Sequence, residues 1–97
     1  MNKAQPVIVK NEIKSCCGKK QLVWKLPFSI QKEYLGQLQK AGFPYLKSFY
    51  DAGMLYLENK TIIVTGVFGL NEIKIKCKHK DCSANINLLE HVLLHLE

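Results

Sequence analysis

The amino-acid sequence predicts a single α+β domain, in which a mainly antiparallel sheet of about four strands packs with two short helices and one C-terminal helix. Alternating apolar and polar residues indicate the strands, apolar residues at helical spacing indicate the helices, and glycines separate them. A length of 97 residues and a hydrophobic content of 47% suit one globular core. We therefore treat residues 1–97 as one domain that begins with an extended segment, residues 1–14.

The first part of the chain predicts an edge strand, a turn and a second strand. Residues 7–9 form a short apolar stretch that suits an edge strand. Residues 15–20 predict a turn, because Gly18 can adopt a positive φ. Residues 21–26 alternate in polarity, as in a half-buried strand, and the side chains on the apolar face are Leu22, Trp24 and Leu26.

Two short helices are predicted in the next part of the chain, each ended by a glycine. Ser29 is a favourable N-cap for the first helix, whose apolar side chains are Ile30, Tyr34, Leu35, Leu38 and Ala41. Pro44 is predicted to open the second helix as its first residue. Gly42 and Gly53 each stand one residue before an apolar side chain and four residues after another, which is typical of a Schellman C-cap.

Three further strands are predicted, and the first two form a hairpin. Residues 54–58 and 61–68 are joined by Asn59-Lys60, a two-residue turn. Gly66, inside the second of these strands, indicates a bulge or a close approach of another backbone. Residues 72–78 alternate strictly, and the side chains that face inward are Ile73, Ile75 and Cys77.

The last helix is predicted to begin at Asn85 or Asn87 and to end at Leu96. Its apolar residues cover about half of the helix circumference, as expected for a helix that packs on a sheet. Residues 96–97 are Leu-Glu, which is also the sequence of an expression-tag remnant.

The cysteines are candidate metal ligands. Cys77 ends a predicted strand and Cys82 precedes the last helix, so their two thiolates can meet at one ion. Cys16 and Cys17, in the predicted turn near the start of the chain, would complete the four sulfur ligands of a structural zinc site. The sequence leaves three states open: a zinc site, reduced thiols that fill core space, and disulfide or redox chemistry.

A second ligand set replaces the N-terminal cysteine pair by His91 and His95, which share one face of the last helix. This set requires the helix to begin near Asn87. If residues 83–91 were all helical, Cys82 and His91 would lie about 13 Å apart along the axis. His79, which stands between two lysines, is a further alternative ligand.

The chain contains fourteen lysines and no arginine, and its net charge is +6. This charge favours acidic partners, nucleic acids among them. The strand at residues 72–78 directs Lys74, Lys76 and Lys78 outward at steps of about 6.6 Å, comparable to the phosphate spacing of a single strand. Lysines in this pattern also protect exposed strands from aggregation, and the lack of guanidinium groups weakens the case for base or phosphate recognition.

These features favour a small non-enzymatic interaction module that binds another macromolecule and that contains a structural zinc ion. The sequence shows no Gly-rich phosphate loop and no nucleophile elbow, and a closed four-ligand zinc site is structural. One alternative is a protein-binding adaptor or homodimer with a purely hydrophobic core, supported by a surplus of apolar residues that includes Leu94. The other is a nucleic-acid-binding protein that uses the lysine row.

The sequence also predicts a location. No apolar run approaches the roughly 20 residues that span a bilayer, and the first apolar stretch is shorter than the core of a signal peptide. We therefore expect a cytoplasmic protein without a membrane partner, in which the cysteines are reduced by default.

Overall fold

The structure is a computed structural model that describes residues 7–14, 20–79 and 81–96. One antiparallel sheet contains five strands, namely β1 (Val9–Lys14), β2 (Lys20–Lys25), β3 (Met54–Glu58), β4 (Ile62–Val67) and β5 (Glu72–Cys77). Their spatial order is β1-β2-β5-β4-β3. The helices are α1 (Leu35–Lys40), α2 (Lys47–Asp51) and α3 (Ser83–Leu94), with a 3₁₀ turn at Lys32–Tyr34. The α+β class is thus confirmed, with five strands instead of about four.

One face of the sheet is buried beneath α1 and α3. Leu38 of α1 and Leu89 of α3 line the same small internal void as Val64 and Ile73 of the sheet, so both helices pack on this face. The most completely buried large side chains are Trp24, Phe43, Leu38, Leu57, Ile62, Ile73, Ile75, Leu89 and Val64. Each such side chain contributes about 1.5–3 kcal/mol to folding through removal of apolar surface from water.

The C-terminus of α1 has the predicted Schellman geometry. The Phe43 N–H donates to the Leu38 carbonyl at 3.0 Å, and the Gly42 N–H donates to the Gln39 carbonyl at 3.1 Å. Gly42 has a φ of 100°, which side chains with a Cβ rarely adopt. Leu38 and Phe43 are both buried, as the hydrophobic contact of this motif requires.

The start of α1 differs from the prediction. Ser29 does not cap the helix, because the backbone of the next residue is paired elsewhere. The Ile30 N–H donates to the Leu70 carbonyl at 2.8 Å, and the Gly69 N–H donates to the Ile30 carbonyl at 2.9 Å. These bonds hold Ile30 against the turn between β4 and β5, so α1 begins only at Leu35.

The start of α2 also differs. Pro44 does not open the helix, because the chain around it pairs with the outer edge of β3. The Leu46 N–H donates to the Tyr56 carbonyl at 3.1 Å, and the Glu58 N–H donates to the Pro44 carbonyl at 3.1 Å. The helix therefore begins at Lys47 and is only one turn long.

At the other end of the chain, α3 begins at Ser83, before the predicted Asn85 or Asn87, and ends at Leu94. Leu96 follows the helix and is buried in the core. In the described ranges, no helix has the length and apolar character needed to cross a membrane.

The predicted close approach at Gly66 is confirmed. A Cβ at this position would lie 3.1 Å from Ile30 Cδ1 and 3.2 Å from the Glu72 carbonyl oxygen. Glycine thus lets the chain before α1 pack against β4 and β5.

Candidate functional site

The second face of the sheet points away from α1 and α3, and we call it the open face. Its side chains alternate along each strand with those of the buried face. From β1 to β3 in spatial order, they are Val9, Asn11 and Ile13; Gln21, Val23 and Lys25; Glu72, Lys74 and Lys76; Ile63, Thr65 and Val67; and Met54, Tyr56 and Glu58.

Lys74 and Lys76 lie at the centre of the open face, because β5 is the middle strand of the sheet. Both are exposed. The register places Lys74 between Val23 and Thr65, and Lys76 is likewise flanked by uncharged residues on both neighbouring strands. Both edges of β5 are paired, so these lysines do not lie along an edge of the sheet. Their charges face solvent without an acidic residue directly opposite.

Lys78, the third lysine of the predicted row, forms contacts with other residues of the chain. Its ammonium group forms an ion pair with Glu58, and its backbone N–H donates to the Thr61 carbonyl at 2.8 Å. The hydrogen bond from Lys78 lowers the pKa of Glu58 below its usual value. Burial, followed by the charge of Glu58, raises the pKa of Tyr56, whose hydroxyl donates to Glu58 Oε1 at 3.3 Å. Lys78 therefore belongs to a structural contact.

A shallow depression lies at one end of the open face, next to Lys74 and Glu72. Three apolar side chains surround it, and their exposed fractions are 39% for Met54, 41% for Val67 and 57% for Leu70. The sequence identified the lysines but not this apolar group. Its members come from β3, β4 and the following turn, and only the strand order brings them together.

The aromatic content of the open face is low. Among the described residues, Tyr56 is its one aromatic side chain. The Tyr56 ring stacks on Phe49 of α2, with ring centroids 4.6 Å apart and planes inclined by 15°. One face of the tyrosine ring is thus already covered.

Two of the four cysteines of the predicted zinc site, Cys77 and Cys82, form a disulfide. Their Cα atoms are 5.9 Å apart, within the span of a disulfide, and both residues are buried. This differs from the expectation of reduced thiols and corresponds to the disulfide alternative. The bond fixes the end of β5 to the start of α3 and uses two of the sulfur atoms that zinc would need.

The other two predicted sulfur ligands, Cys16 and Cys17, lie outside the described residues. They precede β2 in the chain, and the register pairs Gln21 near the start of β2 with Lys76 near the end of β5. The start of β2 and Cys77 therefore lie at the same end of the sheet. The four-cysteine zinc site stays a prediction, and it requires the disulfide to be reduced.

Among the described residues, the helix start keeps His91 away from Cys82. α3 begins directly after Cys82, so the helical rise of about 1.5 Å per residue separates Cys82 from His91 by roughly 13 Å. His91 and His95 are both exposed, with ring centroids 4.3 Å apart. His79 Nε2 lies 3.1 Å from the Lys60 carbonyl oxygen. Within the part of the chain that the structure describes, no three His, Cys, Asp or Glu residues are grouped to hold a metal ion.

Comparisons of this chain with known protein families, with curated proteins and with solved structures find no match. The open face is therefore the basis on which a function can be proposed. It combines a positively charged centre with exposed apolar side chains at its borders.

Proposed function

We propose that this chain is a non-enzymatic interaction module whose open face binds an acidic and partly apolar segment of another protein. The observation that carries the proposal is the position of Lys74 and Lys76, which lie at the centre of the open face with no acidic residue directly opposite on the neighbouring strands. The outer residues of the face expose apolar side chains. Exposed apolar groups that form a patch are typical of interaction sites, and complementary charges increase association rates and select partners.

The chemistry of the open face favours contact over catalysis. Its groups near the depression are an ammonium group, a carboxylate, a threonine and aliphatic side chains. Covalent catalysis usually needs a nucleophile that an adjacent base activates. Lys74 and Glu72 lie beside the exposed apolar side chains of Met54, Val67 and Leu70, which supports recognition of a charged and apolar surface.

A nucleic-acid partner is the second candidate, and the outward row formed by Lys74 and Lys76 favours it. Sites for single-stranded nucleic acids usually stack bases on aromatic side chains. The tyrosine of the open face is already stacked on Phe49. Bidentate phosphate contacts use arginine, which the chain lacks. An acidic protein segment therefore fits this surface better.

We propose a structural zinc site only for the protein in which the disulfide is reduced. Reduction of the disulfide would free the thiols of Cys77 and Cys82 at the end of the sheet where the chain enters β2. Four cysteine thiolates would then form a closed structural site. Native mass spectrometry of the reduced protein, with and without a chelator, tests this directly. One bound zinc ion per chain supports the site, and reduced protein without zinc contradicts it.

The proposed binding surface can be mapped by nuclear magnetic resonance. Isotope-labelled protein would be titrated with three probes: a synthetic peptide of glutamate and leucine, polyglutamate, and a single-stranded RNA oligonucleotide. We expect saturable shift changes on the open face, with tighter binding of the mixed peptide than of polyglutamate because it also covers the apolar depression. Changes on the helix side alone, or no binding of either acidic polypeptide, would contradict the proposal. Tighter binding of RNA at Lys74 and Lys76 would favour the second candidate.

A further inference from the structure

The two outer edges of the sheet differ in how their backbone groups are paired. At the β3 edge, the Leu46 N–H donates to the Tyr56 carbonyl and the Glu58 N–H donates to the Pro44 carbonyl, each at 3.1 Å. At the other edge, β1 pairs with β2 on one side and with no described strand on the other. Within the described ranges, Val9–Lys14 thus presents a row of unpaired backbone donors and acceptors along this edge.

We propose that β1 pairs with β1 of a second copy of this chain, in the antiparallel direction and with Asn11 at the two-fold axis. The two sheets then become one continuous sheet. A second copy is the partner because the side chains of β1 complement themselves in this register. The pairing goes beyond the proposed function and does not depend on what the open face binds.

The pairing of β1 with β2 shows which side of the sheet each β1 side chain faces. Lys10 lies opposite Trp24 and Glu12 lies opposite Leu22, so both charged residues are on the helix side. The side chains on the open face are Val9, Asn11 and Ile13. Directly opposite residues of antiparallel strands point to the same side of a sheet. In a two-fold symmetric pair, one residue must therefore lie opposite its own copy at the axis. An axis midway between two successive residues would place a side chain of the open face opposite a side chain of the helix side.

Among these symmetric registers, the one centred on Asn11 matches charge with charge and apolar with apolar. It places Lys10 opposite Glu12 twice and Val9 opposite Ile13 twice. A register centred on Lys10 or on Glu12 would oppose like charges, which destabilises a strand pair. A register centred on Ile13 would also oppose Glu12 to Lys14, but only residues 12–14 of the strand would then pair with one another, and a register centred on Val9 would leave only Val9 paired within the strand. The register centred on Asn11 pairs residues 9–13 with one another and so uses most of β1.

The exposure and contacts of β1 fit the same register. Val9 is 54% exposed and Ile13 is 48% exposed, and the pairing would bring these two side chains together across the interface. On the helix side, Lys10 Nζ lies 2.7 Å from Glu90 Oε2 of α3. Glu12 of the second copy would become another acidic neighbour of Lys10. The helices of both copies would lie on one side, so both open faces would stay accessible on the other.

Disulfide trapping tests the register. In a background with Cys16→Ser and Cys17→Ser, Asn11→Cys would face its own copy at a Cα distance of about 4.5–5.5 Å, within the span of a disulfide. Ile13→Cys is the matched control, because it lies on the same side of the same strand but about 14 Å from its copy. We expect mild oxidation to cross-link Asn11→Cys and not Ile13→Cys. Equal cross-linking of both variants, or of neither, would overturn the proposed pairing.

Charge exchange provides an independent test that does not depend on added cysteines. Lys10→Glu alone and Glu12→Lys alone each place like charges opposite each other, whereas a mixture of the two variants restores opposite charges. By sedimentation equilibrium we expect each variant to dimerise about tenfold or more weakly than the original chain, and the mixture to regain the affinity. An original chain that stays monomeric at the highest soluble concentration would overturn the proposal and would assign Lys10 and Glu12 to protection of a free edge. Unchanged dimerisation of the single variants would overturn the register.

Discussion

The two faces of the sheet are made by the same strands and yet have opposite properties. On the buried face of β5, Ile73 is 1% exposed and Ile75 is 0% exposed, whereas Lys74 and Lys76 beside them are exposed on the open face. Strand geometry sends successive side chains to opposite sides, so a shift of one position separates a core residue from a surface residue. The buried face therefore holds the hydrophobic core, whereas the open face is exposed to solvent.

The largest expected effect comes from truncation on the buried face. Ile75→Ala removes a fully enclosed side chain and should lower the free energy of unfolding by about 2–5 kcal/mol. Its matched control is Lys76→Ala on the open face, which should change that free energy by less than about 0.5 kcal/mol. Urea unfolding measures both values. A similar loss for the two variants would contradict the division of roles between the faces.

Removal of the disulfide should have the next largest effect on stability. The short loop between Cys77 and Cys82 predicts a loss of about 2 kcal/mol when both residues are changed to alanine, with the size dependent on the entropy model. Urea unfolding of the oxidised original chain and of the double variant gives the difference. If the reduced original chain regains its stability when zinc is added and loses it when a chelator is added, the zinc prediction is supported. An unfolding midpoint that does not respond to loss of the disulfide would show that the bond is not a structural link.

Adding a methyl group at Gly66 tests how closely the chain before α1 packs against the buried face of the sheet. Gly66→Ala would place its Cβ 3.1 Å from Ile30 Cδ1, and we expect a loss of about 1–3 kcal/mol through overpacking. Gly36→Ala is the control, because a Cβ at this position of α1 meets no atom within 4 Å. The control should instead stabilise the helix by about 0.5–1 kcal/mol. Thermal unfolding of both variants measures the contrast, and equal changes would contradict the close approach at Gly66.

The smallest expected effect is a pH dependence at the margin of the open face. Because the pKa of Glu58 is lowered in the folded protein, its ionised form contributes stability at neutral pH that is lost as the pH falls through the folded pKa. Glu58→Gln should therefore be slightly less stable than the original chain at neutral pH and should match it in acid. Unfolding measured across this pH range tests the sign. A difference that grows in acid would contradict the assigned contact with Lys78.

The sequence predicted those features that depend on local patterns. The alternation of β5, the hairpin of β3 and β4 and the glycine that ends α1 follow from the spacing of residues near one another, and all are confirmed. The predicted turn residues Asn59-Lys60 are wrong by one position, because the Asn59 N–H donates to the Ile62 carbonyl at 3.1 Å and the tight turn lies at Lys60-Thr61. The first residues of α1 and α2 could not be predicted in this way. Distant backbone partners compete there with helix formation: Leu70 holds Ile30, and Tyr56 and Glu58 hold the chain around Pro44.

The candidate site was predicted only in part for the same reason. The strand pattern identified Lys74 and Lys76 as outward residues. It contained no information that β5 is the middle strand, that Lys78 is paired with Glu58, or that Met54 and Val67 lie beside each other on neighbouring strands. These facts depend on strand order and register, which involve residues far apart in the sequence.

The central claim is that the open face, and not the positive charge of the whole chain, binds the partner. A matched pair of charge reversals tests it: Lys74→Glu with Lys76→Glu on the open face, against Lys40→Glu with Lys47→Glu on exposed positions of α1 and α2. Both double variants change the net charge by the same amount. Titration of the glutamate and leucine peptide should show binding about tenfold or more weaker for the first variant and nearly unchanged for the second. Equal losses for both variants would contradict the claim.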